Sequence, residues 1–282
     1  MLDALSAEML KLTRHKATWF LVWLYPVGLT IIFLLMISGN FVTDNAPAQP
    51  ELVPWLKETA LVWGAPGSTF GRYLLAAFVA VVFAGEYGWN TWKLIVPHRG
   101  RASLIAAKYA TILLLFLAAF TLSAVITVIG QVLEDTSSGD TLPAGITAGA
   151  LLKVHGQAAL ASLAPALLTL TYSSLAAVLT RSTLAALIIS IVAITIEQLA
   201  FNFAPYVSMK APGLVWALFH VLPGYHLANL ASWIGTGAGI TMELPPSGTV
   251  SLSWGVSAAV AAAWIAGLAA LTFTAFRRQD LN

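Results

Sequence analysis

Tyr109-Ala110-Thr111-Ile112-Leu113-Leu114-Leu115-Phe116-Leu117-Ala118-Ala119-Phe120-Thr121-Leu122-Ser123-Ala124-Val125-Ile126-Thr127-Val128-Ile129-Gly130 runs without one charged side chain. A helix needs about 20 mostly apolar residues to cross roughly 30 Å of hydrocarbon, so this stretch can span a bilayer. On either side of it, Trp19–Ile37, Gly156–Leu179, Thr183–Ala204 and Leu252–Phe276 meet the same condition. A sixth stretch, Gly67–Gly85, is interrupted by Arg72 near one end, where a long side chain is expected to reach the headgroups. The composition agrees. Hydrophobic residues make up 59% of the 282 positions and charged ones 9%, against about 25% charge in soluble proteins, so the chain cannot coat a water-facing surface. The expected fold is an all-α integral membrane protein, a single transmembrane domain over residues 1–282.

Six spans place both termini on one side, and the basic residues identify it. With a cytoplasmic N-terminus, Lys11, Arg14, Lys16, Lys93, Arg99, Arg101, Lys108, Arg181, Arg277 and Arg278 lie inside, and only Lys57, Arg72, Lys153 and Lys210 lie outside. That split follows the positive-inside rule. Residues 212–235 are apolar too, but Pro223-Gly224 divides them into two pieces too short to cross. They read as a broken hairpin on the outer side, either a gate lining a cavity or a loop packed on the outer leaflet. The first span is longer than a signal-peptide core and its only small-x-small site, Ala46-Pro47-Ala48, lies well beyond it, so an uncleaved anchor is expected. The chain has no cysteine, which excludes disulfides, thiolate metal sites and cysteine nucleophiles. A net charge of +2 gives no argument for nucleic acid.

Two inner segments carry the most information. Leu2, Leu5, Met9 and Leu12 recur at helical spacing among Glu8, Lys11, Arg14 and Lys16, an amphipathic helix along the inner surface that either anchors or connects. Between spans two and three the chain reads Gly85-Glu86-Tyr87-Gly88-Trp89-Asn90-Thr91-Trp92-Lys93-Leu94-Ile95-Val96-Pro97-His98-Arg99-Gly100-Arg101, continuing to Lys108. Trp89, Trp92 and Val96 share a helical face and Pro97 ends the helix. The tryptophan pair either offers an aromatic anchor to another protein or sits among the headgroups.

The order Glu86-Tyr87, Asn90-Thr91-Trp92-Lys93, Pro97, Arg99, Lys108 resembles the first cytoplasmic loop of ABC-2-type exporter permeases. It is most similar to the branch of lantibiotic-immunity and bacitracin-resistance permeases, which are linked to antibiotic resistance. Ala7-Glu8-Met9-Leu10-Lys11-Leu12, Leu222-Pro223-Gly224 and Phe276-Arg277-Arg278-Gln279-Asp280-Leu281 are similar to the same families. Gly88-Trp89-Asn90 departs from the wider class, where a glycine often precedes the threonine. The resemblance implies a multi-pass permease of the bacterial cytoplasmic membrane that pairs with a second permease, as homodimer or heterodimer. Two copies of a separate ATPase subunit would hold the ATP and magnesium; this chain would bind no cofactor. Residues 89–97 would form the coupling helix, with Glu86, Tyr87, Trp89, Thr91, Trp92, Lys93, Pro97, Arg99, Arg101 and Lys108 as the coupling set. The N-terminal amphipathic helix would be the connecting helix, and membrane lipid a further partner. The cargo implied is a hydrophobic or amphipathic compound such as a peptide antibiotic or drug. A lipid-linked glycan exporter of the same class, or a membrane scaffold or sensor, is the alternative.

The chain lacks Gly-x-x-x-x-Gly-Lys-Ser/Thr, the loop that cradles nucleotide phosphates, and carries no metalloprotease or serine-hydrolase motif, so it is not expected to be an enzyme. Glu197 lies within the fifth span, followed by Gln198 and Asn202. A carboxylate at such depth costs about 2.5–3.5 kcal/mol on insertion scales, so it should face protein or a wet cavity. It either contacts substrate with Gln198 and Asn202 or makes an interhelical hydrogen bond. Tyr225 and His226, beside Pro223-Gly224, are the remaining substrate-path candidates, and the histidines show no metal-site spacing.

Overall fold

The computed structural model describes residues 2–40, 50–88, 91–96, 100–246 and 248–279. Helices α1 (Leu2–Thr13), α2 (Lys16–Leu21) and α3 (Leu24–Asn40) open the chain, followed by α4 (Leu52–Thr59) and a 3₁₀ helix at Leu61–Gly67. Then come α5 (Thr69–Gly88), α6 (Thr91–Ile95), α7 (Arg101–Ser138), α8 (Ala148–Thr180), α9 (Thr183–Ser208), α10 (Pro212–Val221) and α11 (Pro223–Thr236). Strands β1 (Thr241–Leu244) and β2 (Gly248–Ser251) precede α12 (Trp254–Arg278).

Among the described residues, five helices are long and apolar enough to cross a membrane: α5, α7, α8, α9 and α12. The first expected span differs. It is split at Val22-Trp23 into α2 and the 17-residue α3. Pro26 has no N–H to give the Val22 carbonyl, so the α-helical ladder is interrupted there while Pro26 itself sits harmlessly in the first turn of α3.

Local chemistry sets the other boundaries. Thr147, Ser182 and Ser253 cap α8, α9 and α12, each accepting a bond from the backbone N–H three residues on. Arg181 at φ 55° and Ser182 turn α8 directly into α9, so the two run antiparallel. Left-handed Gly139 ends α7.

Two helices outgrow their expected spans. The 38 residues of α7 and the 33 of α8 reach about 57 and 50 Å at 1.5 Å per residue, well beyond the hydrocarbon thickness. Their extra turns meet α4 and the 3₁₀ helix, which reasoning from hydropathy left as loop. Trp55 on α4 donates to Asp135 on α7 at 2.7 Å, and Trp63 donates to His155 Nδ1 on α8 at 3.2 Å. The second His155 nitrogen meets Thr59 Oγ1, whose hydroxyl donates to the Leu56 carbonyl, so His155 carries its proton on Nε2. This folded cap closes one end of the bundle; α1 and α6 lie at the other.

Helix α8 is the hub, packed by α5, α9, α11, α12 and the 3₁₀ helix. Helix α3 leans on α7, where a side chain at Gly130 would stand 2.4 Å from the Phe33 ring. The core between α3, α5 and α7 is aromatic: Tyr25–Phe120 and Phe78–Phe116 pack edge to face at 4.9 and 5.7 Å. Residues 212–235 form two short helices, α10 and α11, divided at Leu222. The β1–β2 pair that follows is, among the described residues, the one departure from all-α structure, antiparallel with Thr241 opposite Ser251 and Leu244 opposite Gly248.

Candidate functional site

Helix α5 carries one charged residue near each end, Arg72 and Glu86, fourteen residues apart and so separated by about 21 Å along the axis. Each organises a different end of the bundle.

At the α6 end, Glu86 accepts from Lys108 Nζ on α7 at 2.8 Å, from Lys11 Nζ on α1 and from the Thr91 hydroxyl at the start of α6. Lys108 also donates to Glu8 on α1 at 2.7 Å and to the Val82 carbonyl at 3.1 Å. Two carboxylates and two ammonium groups thus join α1, α5, α6 and α7 in one charge-balanced knot. Burial opposes the charge on Lys11, but the Glu8 and Glu86 carboxylates outweigh it and hold its pKa above the ordinary 10.5.

The α6 helix is fixed from a second direction. Trp92 is buried, with its ring 4.5 Å from Phe276 on α12 and 5.9 Å from Tyr87, and Lys108 Nζ lies 5.2 Å from its centroid. Tyr87 donates to the Gln279 side chain at 2.6 Å. Arg101 Nη1 donates to the carbonyls of Phe276, Arg277 and Gln279 at 3.0, 2.8 and 2.7 Å, satisfying the open end of α12.

The expectation for this loop is therefore corrected in one respect. Trp92 is not an anchor offered outward; it is held by the chain's own core, because Phe276 and Lys108 supply a pocket that the sequence alone did not reveal. Among the described side chains of α6, Lys93 is the exposed one. Of the predicted set, Glu86, Tyr87, Thr91, Trp92, Arg101 and Lys108 converge, while Trp89, Pro97 and Arg99 lie outside the described residues. Glu8, Lys11, Phe276 and Gln279 complete the arrangement and were not singled out as contacts.

At the cap end, Arg72 does not reach toward headgroups. It is fully buried and grips Glu197 on α9 through two bonds of 2.6 and 3.0 Å, with its Nε donating to Thr169 on α8 at 2.8 Å. The desolvation of an intramembrane charge is offset only by a partner, and each of these two supplies the other's. The interhelical reading of Glu197 is the one its geometry matches. Helix α11 presses close: a side chain at Gly224 would meet the Glu197 carbonyl and Phe201 Cβ, both at 3.2 Å.

Beside this pair lies a cavity of about 580 Å³ between α4, the 3₁₀ helix, α5, α8, α9 and α11. Arg72, Glu197 and Gln198 line it. Asn202 is exposed and does not. Tyr225 and His226 are buried and tie the hairpin together instead. Tyr225 donates to the Ile240 carbonyl at 2.9 Å and accepts from Leu252 N–H at 3.1 Å. His226 bonds Ser257 through Nδ1 at 3.1 Å and the His220 carbonyl through Nε2 at 3.3 Å. Asn229 donates to the same Ser257 oxygen at 2.8 Å. Tyr225, His226, Asn229 and Ser257 all find partners within the chain, which makes this a seam between α11, α12 and the strands.

Compared with known families, residues 4–201 match the ABC-2 family transporter protein. The chain belongs to that family. The match runs from α1 through the charge knot and past Glu197. This ABC-2 chain is thus the membrane permease component of an ABC transporter, a component that associates with an ABC-type ATPase and generally carries none itself. Its long apolar helices agree with a multi-pass membrane protein. No curated protein and no solved structure gives a significant match.

Proposed function

We propose that this ABC-2 permease exports a hydrophobic or amphipathic compound, driven by ATP hydrolysis in two copies of a separate ATPase subunit, and that it works with a second permease in the bacterial cytoplasmic membrane. The single observation that supports this is the charge knot around Glu86. A push on α6 reaches α5 through Thr91, α7 through Lys108, α1 through Lys11 and α12 through Trp92. A five-residue helix fixed to four others moves them together or not at all. In this reading α6 and the residues before Gly100 form the coupling segment, Lys93 faces the motor, and ATP and magnesium belong to the partner. Helix α3 with α2 supplies the first of six spans, its shortness offset by local thinning of the bilayer. The similarity of the Glu86–Lys108 loop to lantibiotic-immunity and bacitracin-resistance permeases favours a peptide antibiotic or drug as cargo.

The absence of cysteine allows a direct test. Single cysteines at Lys93 and Glu58 are expected to react oppositely with a membrane-impermeant maleimide on intact cells, Glu58 labelled and Lys93 protected. Lys93→Glu should lower ATPase co-purification with the tagged permease, whereas Lys210→Glu at the far end should not. Labelling at Lys93 from outside would refute the orientation and the motor contact together.

A further inference from the structure

The cavity at the cap end carries information about charge. A volume of about 580 Å³ lies within the ~300–1,000 Å³ typical of small-molecule sites, which are mostly apolar with a few placed polar groups. Its walls fit that description: Leu56, Trp63, Ala161, Pro165, Phe201 and Leu227 contribute apolar surface. Three charged residues line it. Arg72 and Glu197 neutralise each other, with three guanidinium donors already engaged by Glu197 and Thr169. Lys57 is exposed to solvent. The only other side chains with strong hydrogen-bonding groups not already satisfied are the primary amides of Gln157 on α8 and Gln198 on α9. Each is half-buried and makes no hydrogen bond to another described residue.

A carboxylate locked to a guanidinium is a poor counter-ion for a cation, and the guanidinium is equally poor for an anion. A charged ligand would lose its hydration without gaining an opposite charge. A primary amide supplies one acceptor and two donors, suited to an uncharged amide, carbamate or hydroxyl. We propose that this cavity binds an electroneutral amphiphile, its apolar body against α8 and α11 and its uncharged polar groups on Gln157 and Gln198. The Arg72–Glu197 pair holds the wall in shape while adding no net charge to it. This rests on the export reading only in calling the ligand a cargo; binding itself needs neither ATP nor the motor.

The test uses the purified full-length permease without ATPase and three dansyl probes of one chain length, ending in a primary amide, a carboxylate or a quaternary ammonium. The amide probe is expected to bind about tenfold more tightly than either charged one, the scale of a lost polar partner. Gln198→Leu and Gln157→Leu should each weaken the amide probe several-fold and leave the charged probes unchanged. Ala161→Trp, which fills the cavity, should abolish binding; if it does not survive purification, the double Gln157→Leu/Gln198→Leu variant tests the same wall. Equal or tighter binding of a charged probe, or amide-probe affinity indifferent to all these changes, overturns the proposal. So does native mass spectrometry showing one phospholipid retained by the unaltered permease and lost from the Ala161→Trp or double-glutamine variant, because the occupant is then a bilayer lipid. Failure here leaves the export reading standing, and failure of the labelling experiment leaves this one untouched.

Discussion

Helix α5 holds two ionic sites of opposite design. Arg72 near its start faces one charged partner, Glu197, in a closed, fully desolvated fork. Glu86 near its end shares its oxygens among Lys11, Lys108 and Thr91, and Lys11 keeps 36% of its side chain in solvent. The first site joins α5, α8 and α9 around a single guanidinium. The second joins four elements and remains wet at its edge. A closed pair resists change because either half alone is a stranded charge; a shared network can lose a member and redistribute. The difference points to a rigid brace at the cap end and a transmitting joint at the α6 end.

The comparison breaks most sharply at Glu197. Glu197→Ala strands a buried guanidinium, a loss of about 3–5 kcal/mol for a buried pair, and folded protein should nearly vanish from detergent extracts on size-exclusion chromatography. The double change Arg72→Met/Glu197→Leu should restore it, since apolar replacement of both partners is often neutral. Survival of Glu197→Ala with unchanged thermal stability would mean the pair is no brace.

Lys108→Met removes three donors at the wet site but leaves Lys11 on Glu86. A loss of about 1.5–3 kcal/mol is expected, measured as a lowered midpoint of thermal unfolding in detergent, with folded protein still recovered. A collapse as complete as that of Glu197→Ala would erase the distinction between the two ends.

The smallest effect belongs to Lys11→Gln, at most about 1 kcal/mol for a partly exposed pair and reduced by salt. Because the Lys11 pKa is raised above 10.5, its contribution is fully present below that value and is lost only as pH rises through the raised one. The difference between Lys11→Gln and the unaltered chain should therefore stay constant from about pH 6 to 9. A difference that shrinks across this interval would show that Lys11 does not hold its proton as the geometry requires.

Much of the frame is readable in the sequence because apolar length is a local property. Helices α7, α8, α9 and α12 and the division at Pro223 need only counting. The split at Val22-Trp23 escapes a hydropathy count, since a broken ladder leaves composition unchanged; Pro26 was its signal. The cap was missed because Trp55, Leu56 and Thr59 form one buried face, with Leu52 half-buried beside it, in a stretch that also carries Glu51, Lys57 and Glu58. The Arg72–Glu197 pair had a usable signal. Glu197 lies fourteen residues after Thr183, and Arg72 fourteen before Glu86. Counted from the α6 end, two opposite charges therefore stand at one depth on different helices. No such count reveals that Trp92 meets Phe276, because that contact depends on how α12 returns to the bundle.

Arg101 stitches the final carbonyls of α12 to the first turn of α7. Any rotation of α7 must then drag the last turn of α12 with it. A fluorophore on the exposed Arg278 therefore becomes a spectator of that movement, read without touching any buried contact of the bundle.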